Sequence, residues 1–245
     1  MLLMAKKTSR TRREINDIDL EESFNTNWLL NFNIRKPFYF NKLQTEFYHK
    51  CRHKDTNMVF VDGPAGTMKT YIAVFSALEQ IRDEVFDKLI YIRSVAESAE
   101  KSLGALPGEV DDKFSPYAAP LIEKVREITS VSTSQMLMHK GLIEAIPVNF
   151  VRGLTFNKSM VIVDEAQNMT KGELTTILTR FGRGSRYIIC GDGNQSDINK
   201  SGFDEVLERF DNQECEDNNI HAFEFGNDEI SRSKILRHIC KMLDS

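Results

Sequence analysis

The stretch VFVDGPAGTMKTYIAVFSAL, residues 59–78, predicts a strand, a tight turn and a helix in close succession. Its first apolar run ends on Gly63, and the apolar positions after Lys69 follow helical spacing. The turn between them matches most of the pattern G-x-x-x-x-G-K-[ST], in which backbone N–H groups cradle phosphates. Residue 68 is a methionine where the pattern has glycine. The stretch therefore predicts a phosphate-binding loop with one unusual position.

Small residues keep this turn tight, so that successive N–H groups can converge on phosphate oxygens at a helix N-terminus. Met68 still offers its N–H, provided that its flexible side chain points away from the nucleotide. Lys69 would reach the β- and γ-phosphates, and the Thr70 hydroxyl would hold Mg²⁺. The alternative is a glycine-rich turn with an incidental lysine. The predicted nucleotide-binding residues of this loop are Gly63, Pro64, Ala65, Gly66, Thr67, Met68, Lys69 and Thr70.

Two acids end a second apolar run, SMVIVDEAQN at residues 159–168. Asp164 can accept a hydrogen bond from a water of Mg²⁺, and Glu165 can polarise the attacking water. One of these acids could merely cap the next helix. However, Thr170 and Glu173 already form a plausible capping box, which leaves both acids available for chemistry.

A third loop, in YIICGDGNQSD at residues 187–197, carries Gln195. This glutamine could touch the γ-phosphate or the attacking water, although an ordinary turn could have the same sequence. Three such loops in this order, each at the end of an apolar strand, predict a nucleotide hydrolase.

Short apolar runs centred near residues 59, 89, 143, 161, 188 and 222 alternate, for the most part, with amphipathic stretches. That alternation predicts an α/β fold with a mainly parallel sheet flanked by helices on both faces. Ligands bind such sheets at the carboxyl ends of the strands. Residues 1–25 are expected to form a flexible basic tail, and residues 26–245 a single domain.

Composition gives no global sign of a nucleic-acid binder, because the net charge is −4 and the pI is about 5.8. Any surface for nucleic acid would therefore be local. The four cysteines show no paired spacing, which is typical of reduced thiols. Without a long apolar stretch, we expect a cytoplasmic protein with no membrane partner.

Several further segments resemble the PhoH-like P-loop ATPases, which are related to the RecA-like first motor domain of superfamily 1 helicases. The resemblance covers about residues 38–243 and implies a RecA-like fold that uses ATP and Mg²⁺. It also implies that Gln44 reads the adenine, where the alternative is an exposed helix glutamine. Met68 departs from the family pattern, as does Arg93, which lacks the usual following proline. The segments are AEKSLGALPGEV at 99–110, SPYAAPL at 115–121, FVRGLTF at 150–156 and LTRFG at 178–182.

The resemblance further implies a helicase-like ATPase that acts on single-stranded RNA or DNA and assembles as a homohexameric ring. Phosphoryl transfer in this class gains much from an arginine that neutralises the transition state, and a neighbouring subunit can deliver it. Arg152 and Arg180 are the candidates, and Arg232 is a candidate within the same chain. Each of them could equally be an ordinary surface arginine.

Two other functions remain open. A nucleotide-gated binding or regulatory protein with little turnover would explain Met68. A small-molecule kinase agrees less well with the DEAQ and GDGNQ loops, which suit an activated water. Some residues could contact single-stranded nucleic acid or could instead pack against another subunit. They are Arg93, Lys101, Lys113, Phe114, Tyr117 and Lys124.

Overall fold

A six-stranded parallel sheet forms the centre of the protein, with the strand order β3-β2-β4-β5-β1-β6. The structure is a computed structural model that describes residues 32–35, 40–94, 110–231 and 233–243. All six predicted strands are confirmed. They are β1 Met58–Asp62, β2 Lys88–Arg93, β3 Ile143–Pro147, β4 Ser159–Asp164, β5 Arg186–Gly191 and β6 Ile220–Glu224.

Helices connect the strands and cover the sheet. The first four are α1 Lys42–Arg52, α2 Lys69–Arg82, α3 Val110–Ile128 and α4 Val131–His139. The others within the described residues are α5 Lys171–Leu178, α6 Phe203–Phe210, α7 Gln213–Asp217 and α8 Lys234–Leu243. The capping box predicted from Thr170 and Glu173 is present at the start of α5, with both reciprocal bonds formed.

Successive side chains of each strand point to opposite faces, so the sheet has two apolar cores. On one face Val59 and Leu89 pack with residues of α1 to α4, such as Phe47. On the other face Phe60 packs with residues of α5 and α6, such as Leu174. The predicted fold, a parallel sheet with helices on both faces, is confirmed, and it explains why the strands are apolar throughout.

Parallel pairing places the carboxyl ends of all six strands at one edge of the sheet. Strand β5 lies between β1 and β4. The loops that follow these three strands are therefore neighbours, although about 130 residues separate the first from the last. They are the three loops in which the sequence predicts phosphate chemistry.

Arg186, at the start of β5, is 2% exposed and joins that strand to the end of α1. Its guanidinium donates to the carbonyl oxygens of Cys51 at 2.8 Å, Thr56 at 2.9 Å and His53 at 2.5 Å. It also donates to Oε1 of Gln80 at 2.5 Å. Burial lowers the pKa of Arg186 to about 10, which leaves it charged at neutral pH. The contacts satisfy backbone carbonyls that a helix end would otherwise leave without donors.

Some expectations fall outside the described residues. These are the flexible tail at residues 1–25, Lys101 and Arg232, together with the side chains of Lys113 and Phe114. All four cysteines are free. Among the residues that the structure describes, no helix is both long enough and apolar enough to cross a membrane.

Candidate functional site

The predicted phosphate loop lies between β1 and α2 and has the backbone shape that the motif requires. Gly63 and Gly66 have φ angles of 152° and 85°, which favour glycine. A Cβ atom on Gly63 would lie 2.6 Å from Cβ of Phe225, so only glycine fits there. Helix α2 begins at Lys69, directly after this turn.

Met68 adopts the left-handed conformation that glycine normally provides, with φ 67° and ψ 17°. Such a conformation costs an L-residue about 1–2 kcal/mol. The methionine side chain packs, partly buried, against the apolar core on the α1 to α4 face. The loop therefore keeps its shape at some cost in strain, and the side chain lies where packing offsets part of that cost.

Substitutions at Met68 are expected to show this strain directly. Both Met68→Gly and Met68→Ala lose the side-chain packing, but only glycine removes the left-handed strain. We therefore expect the glycine variant to be more stable than the alanine variant by about 1 kcal/mol, measured by urea unfolding.

Met136 provides the matched control, since it is also partly buried against the same core but lies within helix α4. There the order should be reversed, with alanine more stable than glycine by about 1 kcal/mol. The same order at both positions would contradict the assignment of strain to Met68.

Lys69 lies over the loop that precedes it. Its Nζ donates to the carbonyl oxygens of Gly63 and Pro64, the latter at 3.0 Å, and lies 3.5 Å from the Thr67 hydroxyl. The ammonium group is thus held among neutral oxygens. An incoming phosphate can replace these contacts with a stronger charge-assisted one.

Thr70 and Asp164 meet across the gap between α2 and β4. The Thr70 hydroxyl donates to Oδ1 of Asp164 at 2.6 Å. The hydroxyl of Tyr91, on β2, donates to the other carboxylate oxygen, Oδ2, at 2.5 Å. Burial, reinforced by the neighbouring Asp164, raises the pKa of Tyr91 well above its usual value, so it remains a donor at physiological pH. Asp164 itself is only 6% exposed.

This pair fits the predicted Mg²⁺ ion, because a hydroxyl and a carboxylate are the hard oxygen ligands that Mg²⁺ prefers. Thr70 and Asp164 would hold the ion, directly or through water, and phosphate oxygens would complete its shell. When bound, Mg²⁺ supplies positive charge against the phosphate oxygens. Tyr91 orients the carboxylate from behind, a role that is typical of residues around metal ligands.

Replacing Tyr91 with phenylalanine should therefore weaken the predicted metal site without disturbing the fold. We expect the Mg²⁺ concentration for half-maximal ATP hydrolysis to rise about tenfold, because Asp164 loses a donor that orients it. A titration of activity with Mg²⁺ at saturating ATP measures this shift.

Tyr187→Phe is the control for the loss of a buried hydroxyl. The Tyr187 hydroxyl is buried and has no hydrogen-bond partner in the part of the chain that the structure describes. Its removal should leave the Mg²⁺ dependence unchanged and raise stability by up to about 1 kcal/mol. An equal Mg²⁺ shift in both variants would contradict the role of Tyr91.

Glu165 follows Asp164 in a left-handed conformation, with φ 53°. Its Oε2 accepts a hydrogen bond from Nε2 of Gln167 at 2.6 Å, and its Oε1 lies 3.6 Å from Nη2 of Arg93. Gln167 in turn accepts a bond from the backbone N–H of Asp192 at 3.0 Å. Gln167 thus connects the carboxylate to the loop after β5.

The loop after β5 approaches the phosphate loop from the neighbouring strand. The N–H of Gly193 donates to Oδ1 of Asp62, at the end of β1, at 2.9 Å. Both carboxylate oxygens of Asp192 are buried. Burial raises the pKa of Asp192, and the positive charge of Lys69 opposes that rise. Gln195 ends a short 3-10 helix here with its side chain exposed.

Gln44 is buried, at 2% exposure, so the alternative of an exposed helix glutamine is wrong. Its Nε2 donates to the carbonyl oxygens of Thr67, in the phosphate loop, at 3.0 Å and of Glu229 at 2.9 Å. Its Oε1 accepts from the N–H of Asn41 at 3.0 Å. The carboxamide predicted to read adenine therefore has both hydrogens engaged within the protein, and adenine would have to displace one of these bonds.

The structure does not bring Arg152 or Arg180 to the phosphate loop of their own chain. The carbonyl of Arg180 accepts from Phe156, ahead of β4, so Arg180 lies at the edge of the sheet where that strand begins. The phosphate loop lies at the carboxyl ends of the strands, about 20 Å away, which is the length of a six-residue strand. Arg152 is exposed and follows β3, where it borders a cavity with Glu173.

Several residues were candidates for contact with nucleic acid. Of those whose side chains the structure describes, only Arg93 contacts this site. Tyr117 is 4% exposed, which contradicts a role as an open stacking platform. Lys124 forms an ion pair with Glu127 at 2.9 Å on α3. Arg93, at the carboxyl end of β2, faces Glu165.

Sequence reasoning assigns no role to Tyr91, Gln167 or Asp192. Gln167 lies within the DEAQN stretch, and Asp192 lies within GDGNQSD, so both were close to residues that the motifs did identify. Tyr91 had only its place two residues before Arg93, which puts both side chains on one face of β2. Its contact with Asp164 depends on the pairing of β2 with β4, which no local pattern indicates.

Comparison with known proteins identifies relatives over most of the chain. The family model described as PhoH-like protein matches residues 39–244. A PhoH-like protein of Bacillus subtilis (strain 168) is 41% identical over 147 residues, which are 60% of this chain and 46% of the relative. Protein PhoH of Escherichia coli (strain K12) is 34% identical over 200 residues, 80% of this chain and 54% of the relative. The chain spans about half the length of these curated relatives.

Among solved structures, the ADP complex of the large terminase from a thermophilic bacteriophage superposes with a TM-score of 0.47. The identity is 13%, over 83% of this chain and 50% of the terminase chain. This likeness is too loose to indicate an activity.

Proposed function

Because this chain belongs to the PhoH-like protein family, we propose that it binds and hydrolyses ATP and couples hydrolysis to single-stranded RNA or DNA. The observation that carries the proposal is the contact between Thr70 and Asp164 at 2.6 Å. It joins the phosphate loop to the strand that carries Glu165, so phosphate binding, metal binding and water activation meet at one edge of the sheet.

The loop would receive the β- and γ-phosphates of ATP. Backbone N–H groups at the start of α2 face the phosphate oxygens, and the positive end of the helix dipole favours negative charge there. Lys69 leaves the carbonyls of Gly63 and Pro64 and contacts the β- and γ-phosphates instead. The adenine would lie near Gln44, beside Thr67.

Glu165 would act as the general base. Its carboxylate accepts a proton as the oxygen of a water attacks the γ-phosphorus, and the bond between that phosphorus and the β–γ bridging oxygen breaks. ADP and inorganic phosphate leave. Gln195, on the neighbouring loop at the same edge, would orient the water. Gln167 holds the base in position through its bond to Oε2.

A ring of subunits would supply the arginine that neutralises the transition state. Arg180 lies at the opposite edge of the sheet from Thr70, so it can reach a γ-phosphate only from a neighbouring copy. A head-to-tail contact that repeats around a rotation axis closes into a ring, and we propose a homohexamer. Arg152, exposed beyond β3, is the second candidate for this role.

The test is ATP hydrolysis by the purified protein with and without single-stranded RNA and DNA, at two salt concentrations. A coupled ATPase should turn over faster with one of the polymers, and the stimulation should weaken at high salt, because phosphate contacts release counterions. Glu165→Gln serves as the inactive reference. Turnover that no strand alters would contradict the coupling and leave only the ATPase.

A nucleotide-gated binding protein is the second candidate, since Met68 holds a strained conformation beside the lysine that contacts phosphate. Under that alternative the wild type binds ATP tightly but hydrolyses almost none with any strand. Met68→Gly would then restore turnover, which identifies the methionine as a brake. Ready hydrolysis by the wild type excludes this alternative.

A further inference from the structure

Arg93 contacts the predicted general base from the neighbouring strand. Its Nη2 lies 3.6 Å from Oε1 of Glu165, and this is the ion pair that Arg93 makes within the described part of the chain. The register of β2 and β4 places Arg93 opposite Asp164, directly before Glu165. The guanidinium and the carboxylate are 29% and 39% exposed, so solvent and ligands reach both.

In this arrangement both oxygens of Glu165 are engaged. Oε2 accepts from Gln167 at 2.6 Å, and Oε1 faces the positive charge of Arg93. An attacking water would have to compete with Arg93 for Oε1. Glu165 is thus positioned for catalysis but restrained.

We propose that Arg93 couples strand binding to hydrolysis: a backbone phosphate of single-stranded nucleic acid takes Arg93 away from Glu165 and frees Oε1 for the attacking water. This inference rests on the proposed function, because it assigns to that function a residue through which the strand acts. Arg93 is a positioning residue in this mechanism, and Glu165 remains the base.

The geometry of the contact suits such an exchange. At 3.6 Å the ion pair is longer than a charge-assisted hydrogen bond, so little is lost when it opens. A guanidinium binds a phosphate through two parallel N–H groups, which is a stronger contact than the one it would leave. Thr70 and Asp164 hold each other independently of Arg93, so the metal site stays intact during the exchange.

Thermodynamic reciprocity gives a test that needs no hydrolysis. If the nucleic-acid strand and Glu165 compete for Arg93, the charge of Glu165 weakens nucleic-acid binding. Removing that charge must then strengthen nucleic-acid binding. We expect Glu165→Gln to bind a fluorescent poly(U) or poly(dT) strand about twofold to fivefold more tightly, by anisotropy without nucleotide. In an Arg93→Gln background the same substitution should change nothing.

Arg93→Gln alone should weaken strand binding and reduce the salt dependence by about one phosphate contact. Glu144→Gln, which removes an exposed acid from β3, controls for a general loss of negative charge. If Glu165→Gln strengthens strand binding equally with and without Arg93, the proposed competition is wrong. Comparison of poly(U) with poly(dT) shows whether RNA or DNA competes with Glu165 for Arg93.

The rate of hydrolysis provides the second readout. Arg93→Gln should raise kcat without a strand about twofold to fivefold, with an unchanged KM for ATP, and should lose most of the stimulation by a strand. Arg93→Lys, which keeps the charge, should restore a low basal rate. Lys88→Gln, at the opposite end of the same strand, removes an exposed ion pair with Glu144 and should behave as the wild type.

The outcomes separate this inference from the function on which it rests. Strand-stimulated hydrolysis with an Arg93→Gln variant that keeps the wild-type basal rate would overturn the inference and leave the function standing. A fall in basal and stimulated kcat together would show that Arg93 supports the base, which also overturns it. Absence of both hydrolysis and strand binding in the wild type would overturn the proposed function and the inference together.

Discussion

Glu165→Gln is expected to lower kcat for ATP hydrolysis by about 100-fold to 10,000-fold while changing ATP affinity by less than about threefold. Glutamine has nearly the shape of glutamate but cannot accept the proton of the attacking water. In the proposed mechanism the phosphates contact the loop, Lys69 and an ion that Thr70 and Asp164 would hold, and the substitution touches none of these. The loss should therefore appear in the chemical step, with little change in binding.

Single-turnover hydrolysis and equilibrium binding of a fluorescent ATP analogue measure the two effects separately. Glu173→Gln is the matched control, because Glu173 lies near the same edge and glutamine can also complete its capping box with Thr170. The control should retain wild-type turnover. A Glu165→Gln variant with more than about a tenth of the wild-type kcat would show that another group activates the water.

Arg186→Met is expected to lower the free energy of unfolding by about 3–5 kcal/mol, a large part of the stability of an ordinary domain. Methionine fills a similar volume but offers no donor. The carbonyls of Cys51, Thr56 and His53 would lose the partner that satisfies them, as would Oε1 of Gln80. Unsatisfied buried acceptors cost more than the net value of the bonds themselves.

Urea unfolding followed by circular dichroism measures this loss. Arg183→Met is the control, since Arg183 is exposed in the turn just before β5, and it should change stability by less than about 0.5 kcal/mol. Arg186→Lys should recover only part of the loss, because an ammonium lacks the planar fork of a guanidinium. An Arg186→Met variant as stable as the control would show that the carbonyls find other donors.

The positions of the strands were predictable, and the three loops could be proposed as phosphate loops, because both depend on local sequence. A buried strand in a parallel sheet requires a continuous apolar run, and a phosphate loop requires small residues before a lysine and a helix. The capping box of Thr170 and Glu173 spans only four residues and was predicted for the same reason. A motif of a few consecutive residues can be recognised without knowledge of the fold.

Gln44 and Arg180 show the limit of that reasoning. The pattern around Gln44 predicts a helix but not its burial, because burial depends on Glu229 and on the phosphate loop, which are distant in sequence. The pattern around Arg180 predicts the end of a helix but not its distance from the phosphate loop, because that distance depends on the direction in which α5 runs along the sheet.

By itself the sequence determined which segments are strands, and it predicts which loops bind phosphate, with Thr70, Asp164 and Glu165 as the residues able to use it. Only the tertiary structure decided which side chains contact these residues: Tyr91 behind Asp164, and Gln167 and Arg93 on the two oxygens of Glu165. It also decided that Arg186, at the start of β5, holds the end of α1. Most of these contacts join residues far apart in the chain, and all depend on how the strands and loops are arranged. The physical reason is that the order β3-β2-β4-β5-β1-β6 follows from how complete helical faces pack on complete sheet faces, which no short pattern contains.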